Sequence, residues 1–237
     1  MNILFLHGFT QSGPLFSAKT KAVQKALTKA LGADTTFNFP TAPLKLQPAD
    51  IPGNLEQPTE AETETEAYGW WRRAEPSGEY MGLAEMFAFL SEYLDAHGPF
   101  DGVVGFSQGA ALAAILAAVL ENDRPRPETF TTSHPPLKFA ACYCGFRAPE
   151  RYEEWYTPKV KTPTLHVIGT LDTVVDEARS LALVKACEKG DENTVYHPGG
   201  HYLPSQKNVV GALVGFIRIC TEEKKEETPV EDMDVPF

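Results

Sequence analysis

The segment around Ser107 constrains this chain more than any other. Gly105-Phe106-Ser107-Gln108-Gly109 is a G-x-S-x-G motif, with an apolar run at 100–104 before it and an alanine-rich run at 110–120 after it. These runs predict a buried strand and a buried helix, so the serine stands at a sharp strand-to-helix turn. Glycine is needed on both sides because a Cβ there would collide with the neighbouring strand or helix. The motif alone can arise by chance, but these flanks favour a nucleophilic serine.

Strand-like and helix-like segments alternate along the rest of the chain. The predicted strands are 3–6, 35–39, 100–104, 139–144, 164–168 and 194–196, and the predicted helices are 17–31, 81–97, 110–120, 175–187 and 205–219. Such alternation predicts an α/β fold with a mostly parallel sheet of about six strands and helices on both faces. At 237 residues the chain is most simply one domain, over residues 1–220.

Residues 40–67 and the segment after residue 220 both depart from this alternation. Residues 40–67 hold five prolines and five glutamates but few large apolar side chains. This excursion is too long for an ordinary connection, and it is either a lid or a solvated insertion. Since it follows a strand, we expect it beside the mouth of the site. Residues 221–237 form a charged tail without periodicity, for which we expect disorder.

Charge and composition restrict the partners. The net charge of −11 argues against nucleic acid and anionic membranes as main partners. No signal-peptide pattern and no apolar run of roughly 18 residues occur, so we expect a cytoplasmic protein without a membrane span. The cysteines show no C-x-x-C pair or zinc spacing and are interpreted as reduced thiols: Cys142, Cys144, Cys187 and Cys220. We therefore expect no metal and no cofactor.

A serine nucleophile needs a base, and His201 is the best candidate. It follows the last predicted strand, and Gly199-Gly200 before it lets the loop bring the imidazole over the serine. His197 is the local rival, but its place beside the strand favours a structural role. His7 is expected to brace its loop, and His166 to lie buried within a strand.

The acid should lie between Ser107 and His201 in the chain. Asp172 is the first carboxylate after the strand at 164–168, and catalytic groups gather at the carboxyl ends of parallel strands. A carboxylate there would orient the imidazole of His201. The alternatives are that Asp172 only caps the next helix, or that Asp176 is the acid.

The remaining candidate residues would form the oxyanion hole and the acyl pocket. The backbone N–H groups of Gln108 and Phe9 are the expected oxyanion donors, because one follows the nucleophile and the other lies in the loop after the first strand. Trp70, Trp71 and Phe106 are candidates for an acyl pocket, although ordinary core packing explains each of them equally well.

Several segments together resemble the FSH family of serine hydrolases, within the α/β-hydrolase superfamily. Residues 4–13 look like its first strand and oxyanion loop, and 98–112 are similar to its elbow segment. Residues 169–172 and 197–201 look like its acid and histidine motifs. The resemblance implies an α/β-hydrolase fold, a Ser107–Asp172–His201 triad and hydrolysis of carboxylic esters or thioesters. Some fungal relatives release polyketide chains, so an acyl chain carried by a synthase is an implied partner.

The leading hypothesis is therefore a serine esterase or thioesterase that acts on a small-molecule ester through an acyl-enzyme. A lipase-like or peptidase-like enzyme is a variant on the same fold. The alternative from another class is a non-catalytic small-molecule-binding protein on a hydrolase scaffold.

Overall fold

A six-stranded parallel sheet forms the centre of the computed structural model, which describes residues 1–51 and 66–222. The main sheet contains β1 (Asn2–Leu6), β2 (Thr36–Asn38), β7 (Gly102–Phe106), β8 (Phe139–Tyr143), β9 (Thr164–Gly169) and β10 (Thr194–His197). Two small antiparallel sheets pair β3 (Leu44–Lys45) with β4 (Tyr68–Gly69), and β5 (Arg72–Arg73) with β6 (Tyr80–Met81). The helices are α1 (Gly13–Lys19), α2 (Lys21–Leu31), α3 (Leu83–His97), α4 (Gln108–Leu120), α5 (Glu177–Lys185) and α6 (Lys207–Thr221). The order in the main sheet is β10-β9-β8-β7-β1-β2, which places the serine strand β7 near its middle.

Helices cover both faces of this sheet, because side chains alternate along each strand. In β1, Ile3 and Phe5 pack in the cluster that includes residues of α1, α2 and α6. Leu4 and Leu6 point the other way, into the cluster that includes residues of α3 and α4. Every residue of α4 is buried, as expected for a helix that is apolar all round. The predicted parallel sheet of about six strands with helices on both faces is confirmed.

The prediction of one helix over residues 17–31 is wrong. The structure has α1 and α2 there, separated at Thr20. The Thr20 hydroxyl donates to the Phe16 carbonyl, a local bond that competes with regular helix geometry. Ser12 starts α1 earlier than predicted, since its side chain accepts the Leu15 N–H and Pro14 occupies the first turn.

The ends of the excursion at 40–67 are fixed beside the loop that follows β1. Strands β3 and β4 pair antiparallel, and the Leu46 N–H donates to the Ala67 carbonyl at 2.8 Å. The Thr10 N–H, in the loop after β1, donates to the Tyr68 carbonyl at 2.9 Å. The middle of the excursion (52–65) and the tail (223–237) lie outside the described residues, and with them most of the lid prediction and the prediction of a disordered tail.

Across residues 1–51 and 66–222, none of the helices combines the length and the hydropathy that a membrane crossing requires.

Candidate active site

Ser107 lies at the turn between β7 and α4, in a backbone conformation that residues other than glycine rarely adopt. Its φ is +53° and its ψ −116°, a strained combination that the surrounding structure must hold. A Cβ on Gly105 would lie 2.1 Å from the Gly109 carbonyl oxygen, and one on Gly109 would lie 2.1 Å from the Leu6 oxygen. Only glycine fits these two positions, which is the steric requirement that the motif predicted.

Three polar side chains from different strand ends meet at this turn. His201, after β10, places its Nε2 2.9 Å from the Ser107 Oγ. Its Nδ1 lies 2.8 Å from an oxygen of Asp172, which follows β9. Because a carboxylate only accepts, Nδ1 donates to Asp172 and Nε2 is left to accept the Ser107 proton. The structure thus brings together all three residues named from the sequence.

The second oxygen of Asp172 accepts two backbone N–H groups, from Val174 and Val175, at 2.9 Å each. Burial alone would raise the pKa of Asp172. The hydrogen bonds from the Val175 N–H, His201 and the Val174 N–H outweigh burial and hold the pKa below its usual value. Asp172 is therefore an anion at neutral pH.

Asp176, the alternative acid, has a different task. It lies immediately before α5, and its side chain accepts the Arg179 N–H at 3.0 Å. It is the N-cap of that helix, the role that was an alternative for Asp172. Asp172 reaches His201 and Asp176 does not.

Three further histidines, His7, His166 and His197, are buried. His7 is fully buried, its Nε2 accepts the Ala42 N–H, and its Nδ1 lies 2.8 Å from the Gly8 carbonyl. Burial lowers the pKa of His7 to about 4, although the bond to Gly8 opposes this. His166 is buried within β9, and His197 is buried with its ring against Tyr202.

The expected substrate contacts of Trp70 and Trp71 are not what the structure shows. Both side chains lie in the core, 0% and 3% exposed, and the Trp70 indole donates to the His7 carbonyl at 2.9 Å. The Gln108 side chain holds this segment in place: its oxygen accepts the Trp70 N–H and its amide donates to the Trp71 carbonyl. The two apolar side chains are buried in the core, and the Gln108 side chain supplies the hydrogen-bond partners that the buried Trp70 N–H and Trp71 carbonyl need. Sequence reasoning used only the Gln108 backbone and missed this side-chain bridge.

The two expected oxyanion donors lie close to Ser107, since Gln108 follows it in the chain and Phe9 lines the same cavity. Gln108 is the first residue of α4, so its N–H has no intrahelical acceptor. The Phe9 N–H donates no hydrogen bond to any atom of residues 1–51 or 66–222. The loop around Phe9 is fixed by the Gln11 N–H, which donates to the Gly8 carbonyl, and by the contact of Thr10 with Tyr68.

An open cavity of about 370 Å³ adjoins the serine and histidine. Its lining is mostly apolar or backbone: Gly8, Phe9, Thr10, Gln11, Ile51, Phe106, Ser107, Val174 and His201. A second cavity of about 300 Å³ shares Gln11, Phe106 and His201 with the first and is also lined by Phe16 and Leu203. Ile51 is the last described residue before the gap in the excursion, so this end of the excursion borders the cavity. Of the three aromatic candidates, Phe106 is the one that lines it.

Cys144, directly after β8, is a neighbour of the site that sequence reasoning passed over. It is buried, and its Sγ lies within 4.8 Å of a carboxylate oxygen of Asp172 and of a ring nitrogen of His201. Burial, followed by the charge of Asp172, raises the pKa of the thiol to about 12, so the thiol is protonated at neutral pH. Its position at a strand end beside the elbow strand was the signal available in the sequence.

Comparison with known proteins places this geometry in a family. The family described as "Serine hydrolase (FSH1)" matches residues 1–213. "Family of serine hydrolases 2" of Saccharomyces cerevisiae is 34% identical over 93% of this chain and 99% of its own length. A Schizosaccharomyces pombe protein named "Dihydrofolate reductase" is 37% identical over 87% of this chain, but the match covers only 44% of that protein. A second protein of that yeast, "Uncharacterized hydrolase C22A12.06c", is matched over 51% of its length, so the chain spans about half of each.

Solved structures support the fold. Arabidopsis thaliana SOBER1 aligns with a TM-score of 0.60 at 19% identity, over 94% of this chain and 99% of that one. Zea mays acyl-protein thioesterase 2 aligns with a TM-score of 0.59 at 20% identity, over 92% and 94%. At this identity the likeness establishes the α/β-hydrolase architecture. The match over residues 1–213 shows that the chain belongs to the FSH1 family of serine hydrolases.

Proposed function

We propose that this chain hydrolyses carboxylic esters or thioesters through a covalent acyl-enzyme on Ser107. The observation that supports the proposal most is the continuous chain of short contacts: Ser107 Oγ to His201 Nε2 at 2.9 Å, and His201 Nδ1 to Asp172 at 2.8 Å. A serine hydroxyl becomes a nucleophile when an oriented base can take its proton, and these contacts meet that requirement.

In the acylation step the Ser107 Oγ attacks the carbonyl carbon while its proton moves to His201 Nε2. The carbonyl oxygen becomes an oxyanion, which the N–H groups of Phe9 and Gln108 stabilise. The tetrahedral intermediate then collapses. The bond to the leaving oxygen or sulfur breaks, and His201 gives its proton to that atom.

Water completes the reaction by the same route. It attacks the acyl carbon as His201 Nε2 takes one of its protons, and the proton returns to the Ser107 Oγ as the acid leaves. Asp172 stays ionised throughout, keeps the proton on Nδ1 and stabilises the imidazolium that forms in each step. No metal or cofactor takes part in these steps.

The cavity beside Ser107 indicates the class of acyl group. Phe9, Ile51, Phe106 and Val174 give it an apolar wall, which suits a hydrocarbon chain. The neighbouring cavity, which shares Phe106 and His201 and is also lined by Phe16 and Leu203, would offer room for a longer chain. An acyl chain delivered as a thioester by a synthase, as in fungal secondary metabolism, is the finer form of this proposal.

The test is a panel of p-nitrophenyl esters and acyl-CoA thioesters of graded chain length, with Ser107→Ala as the matched control. We expect kcat/KM to rise with chain length until the apolar cavity is filled, and Ser107→Ala to hydrolyse none of the panel measurably. If the protein hydrolyses the esters but none of the thioesters, the thioesterase version of the proposal is wrong. Equal turnover by wild type and Ser107→Ala would overturn the proposal.

A further inference from the structure

The thiol of Cys144 has no part in the ester chemistry, yet it lies against the two residues that orient and carry the proton. One ligand atom each from Cys144, Asp172 and His201 lies within 4.8 Å of the others. The Cys144 Sγ also lies 3.7 Å from the Tyr202 carbonyl oxygen, in the residue that follows His201. A sulfur, a nitrogen and a carboxylate oxygen are therefore close enough to one another to share one ligand.

The backbone of Cys144 marks the same position. Its φ is +50°, in the left-handed region that side chains other than glycine seldom occupy. The side chain is 1% exposed, and the Cys144 N–H donates to the Val167 carbonyl of the neighbouring strand β9. Sheet and core thus hold Cys144 in an unusual backbone conformation, with its sulfur within 4.8 Å of a carboxylate oxygen of Asp172. An unusual backbone at a functional edge is grounds for a functional hypothesis.

We propose that Cys144, Asp172 and His201 bind a thiophilic divalent cation such as Zn²⁺, and that this cation switches the hydrolase off. Binding needs only these three side chains, whereas the inhibition rests on the proposed function.

The donor set suits zinc. Zn²⁺ takes thiolate, imidazole and carboxylate ligands at about 2.0–2.3 Å, commonly three from the protein and one water. Tetrahedral ligands at those distances lie roughly 3–4 Å apart, so closing from 4.8 Å requires side-chain shifts of only about 1 Å. Mg²⁺ and Ca²⁺ prefer several oxygen ligands and gain little from a thiolate. The site should therefore discriminate between the two groups of cations.

The consequence for Ser107 follows from the position of one proton. In the active form Nδ1 of His201 carries the proton and Nε2 accepts from the Ser107 Oγ. A cation on Nδ1 takes the lone pair there, and the ring proton moves to Nε2. The Cys144 thiol loses its own proton to solvent as the sulfur–metal bond forms. Nε2 then donates to Ser107 instead of accepting, and the serine has no base.

The test of binding uses Cd²⁺, whose bond to a thiolate gives an ultraviolet charge-transfer absorption, and it is made on Ser107→Ala so that catalysis is irrelevant. We expect one equivalent of Cd²⁺ to produce the band in Ser107→Ala. The band should disappear in Ser107→Ala/Cys144→Ser and persist in the matched control Ser107→Ala/Cys220→Ser. Asp172→Asn, which leaves the thiol in place, should weaken the binding and serves if Cys144→Ser does not fold. A band that survives Cys144→Ser, or no band at all, would overturn the site.

The test of inhibition titrates wild type with buffered free Zn²⁺, without thiols or chelators in the assay. We expect inhibition that EDTA reverses, and no inhibition by Mg²⁺ or Ca²⁺ at the same concentrations. Cys144→Ser, measured against its own metal-free activity, should need at least about tenfold more Zn²⁺ for half inhibition. Equal sensitivity of Cys144→Ser and wild type would contradict the switch. A metal-free wild type without activity would instead contradict the proposed function and leave the Cd²⁺ result standing.

Discussion

The loop after β1 reaches Ser107 from one side of β7, and the loops after β9 and β10 reach it from the other side. Each side contributes one histidine. His7, in the first loop, is fully buried, and both of its ring nitrogens lie within hydrogen-bond distance of backbone groups. His201, in the last loop, has a partly exposed side chain and contacts Asp172 and Ser107. The same residue type therefore fixes a backbone on one side and contacts Ser107 on the other.

This difference shows what each side has to supply. In the proposed mechanism the backbone N–H donors must already be in place when the oxyanion forms. His7 and the Trp70 indole hold the first loop, and the Gln108 side chain in turn holds Trp70. A proton carrier must change its charge during the reaction, which full burial would penalise. The His201 side chain is 17% exposed, and its Nδ1 lies 2.8 Å from an oxygen of Asp172.

The largest effect should come from Asp172→Asn, with Asp176→Asn as the matched control. Asparagine at 172 favours the wrong tautomer of His201, and in a serine protease the corresponding change lowers kcat about 10⁴-fold. Asp176→Asn should keep nearly full activity, because asparagine also caps helices well. Steady-state kinetics on one ester decides between them. A larger loss from Asp176→Asn would mean that the acid is misassigned.

The next effect is a loss of stability in acid. Burial lowers the pKa values of His7 and His166 from 6.5 to about 4. Between pH 6.5 and about 4 the unfolded chain binds protons at these histidines and the folded chain does not. The free energy of unfolding is therefore highest above about pH 6.5 and decreases as the pH falls towards 4. Each histidine should contribute on the order of 3 kcal/mol to that loss.

Urea unfolding at a series of pH values measures this loss. The matched variant is His166→Leu, since no hydrogen-bond partner for His166 Nε2 is found among the described residues. It should reduce the loss in acid while the carboxylate contributions stay the same. An unchanged pH dependence in His166→Leu would show that this histidine is not held neutral.

A smaller effect tests the fixed side of the comparison. Gln108→Ala leaves the Trp70 N–H and the Trp71 carbonyl without their partner, and buried unpaired groups cost about 1–3 kcal/mol each. We expect the free energy of unfolding to fall by about 2–3 kcal/mol, and kcat to fall more than KM rises. Gln24→Ala, the same change on α2, should leave kcat unaltered. Full activity in Gln108→Ala would show that the bridge does not position the donors.

The smallest expected effect is that of removing metal ions. In the proposed mechanism His201 activates the serine, so EDTA treatment of protein freed of trace zinc should leave kcat unchanged. A loss of activity that a divalent ion restores would overturn this mechanism.

Sequence reasoning located the parts of the site that depend on local signals. The elbow glycines, Asp172 after β9 and His201 after β10 each follow from a strand end and a turn, and the structure places all of them at one edge. The burial of Trp70 and Trp71 depends on the Gln108 side chain, 38 and 37 residues away in the chain, and no local pattern indicates that contact. The break at Thr20 was equally hidden, because threonine is compatible with a helix interior until its hydroxyl bonds back to Phe16.

The central claim is that His201 and Asp172 activate Ser107. Intact-mass analysis after treatment with a small fluorophosphonate tests it most directly, because this probe reacts rapidly only with an activated serine. We expect one adduct per chain, mapped to Ser107 by peptide sequencing, no adduct in Ser107→Ala, and labelling slowed by orders of magnitude in His201→Gln. An adduct on another residue, or labelling of His201→Gln as fast as wild type, would contradict the account.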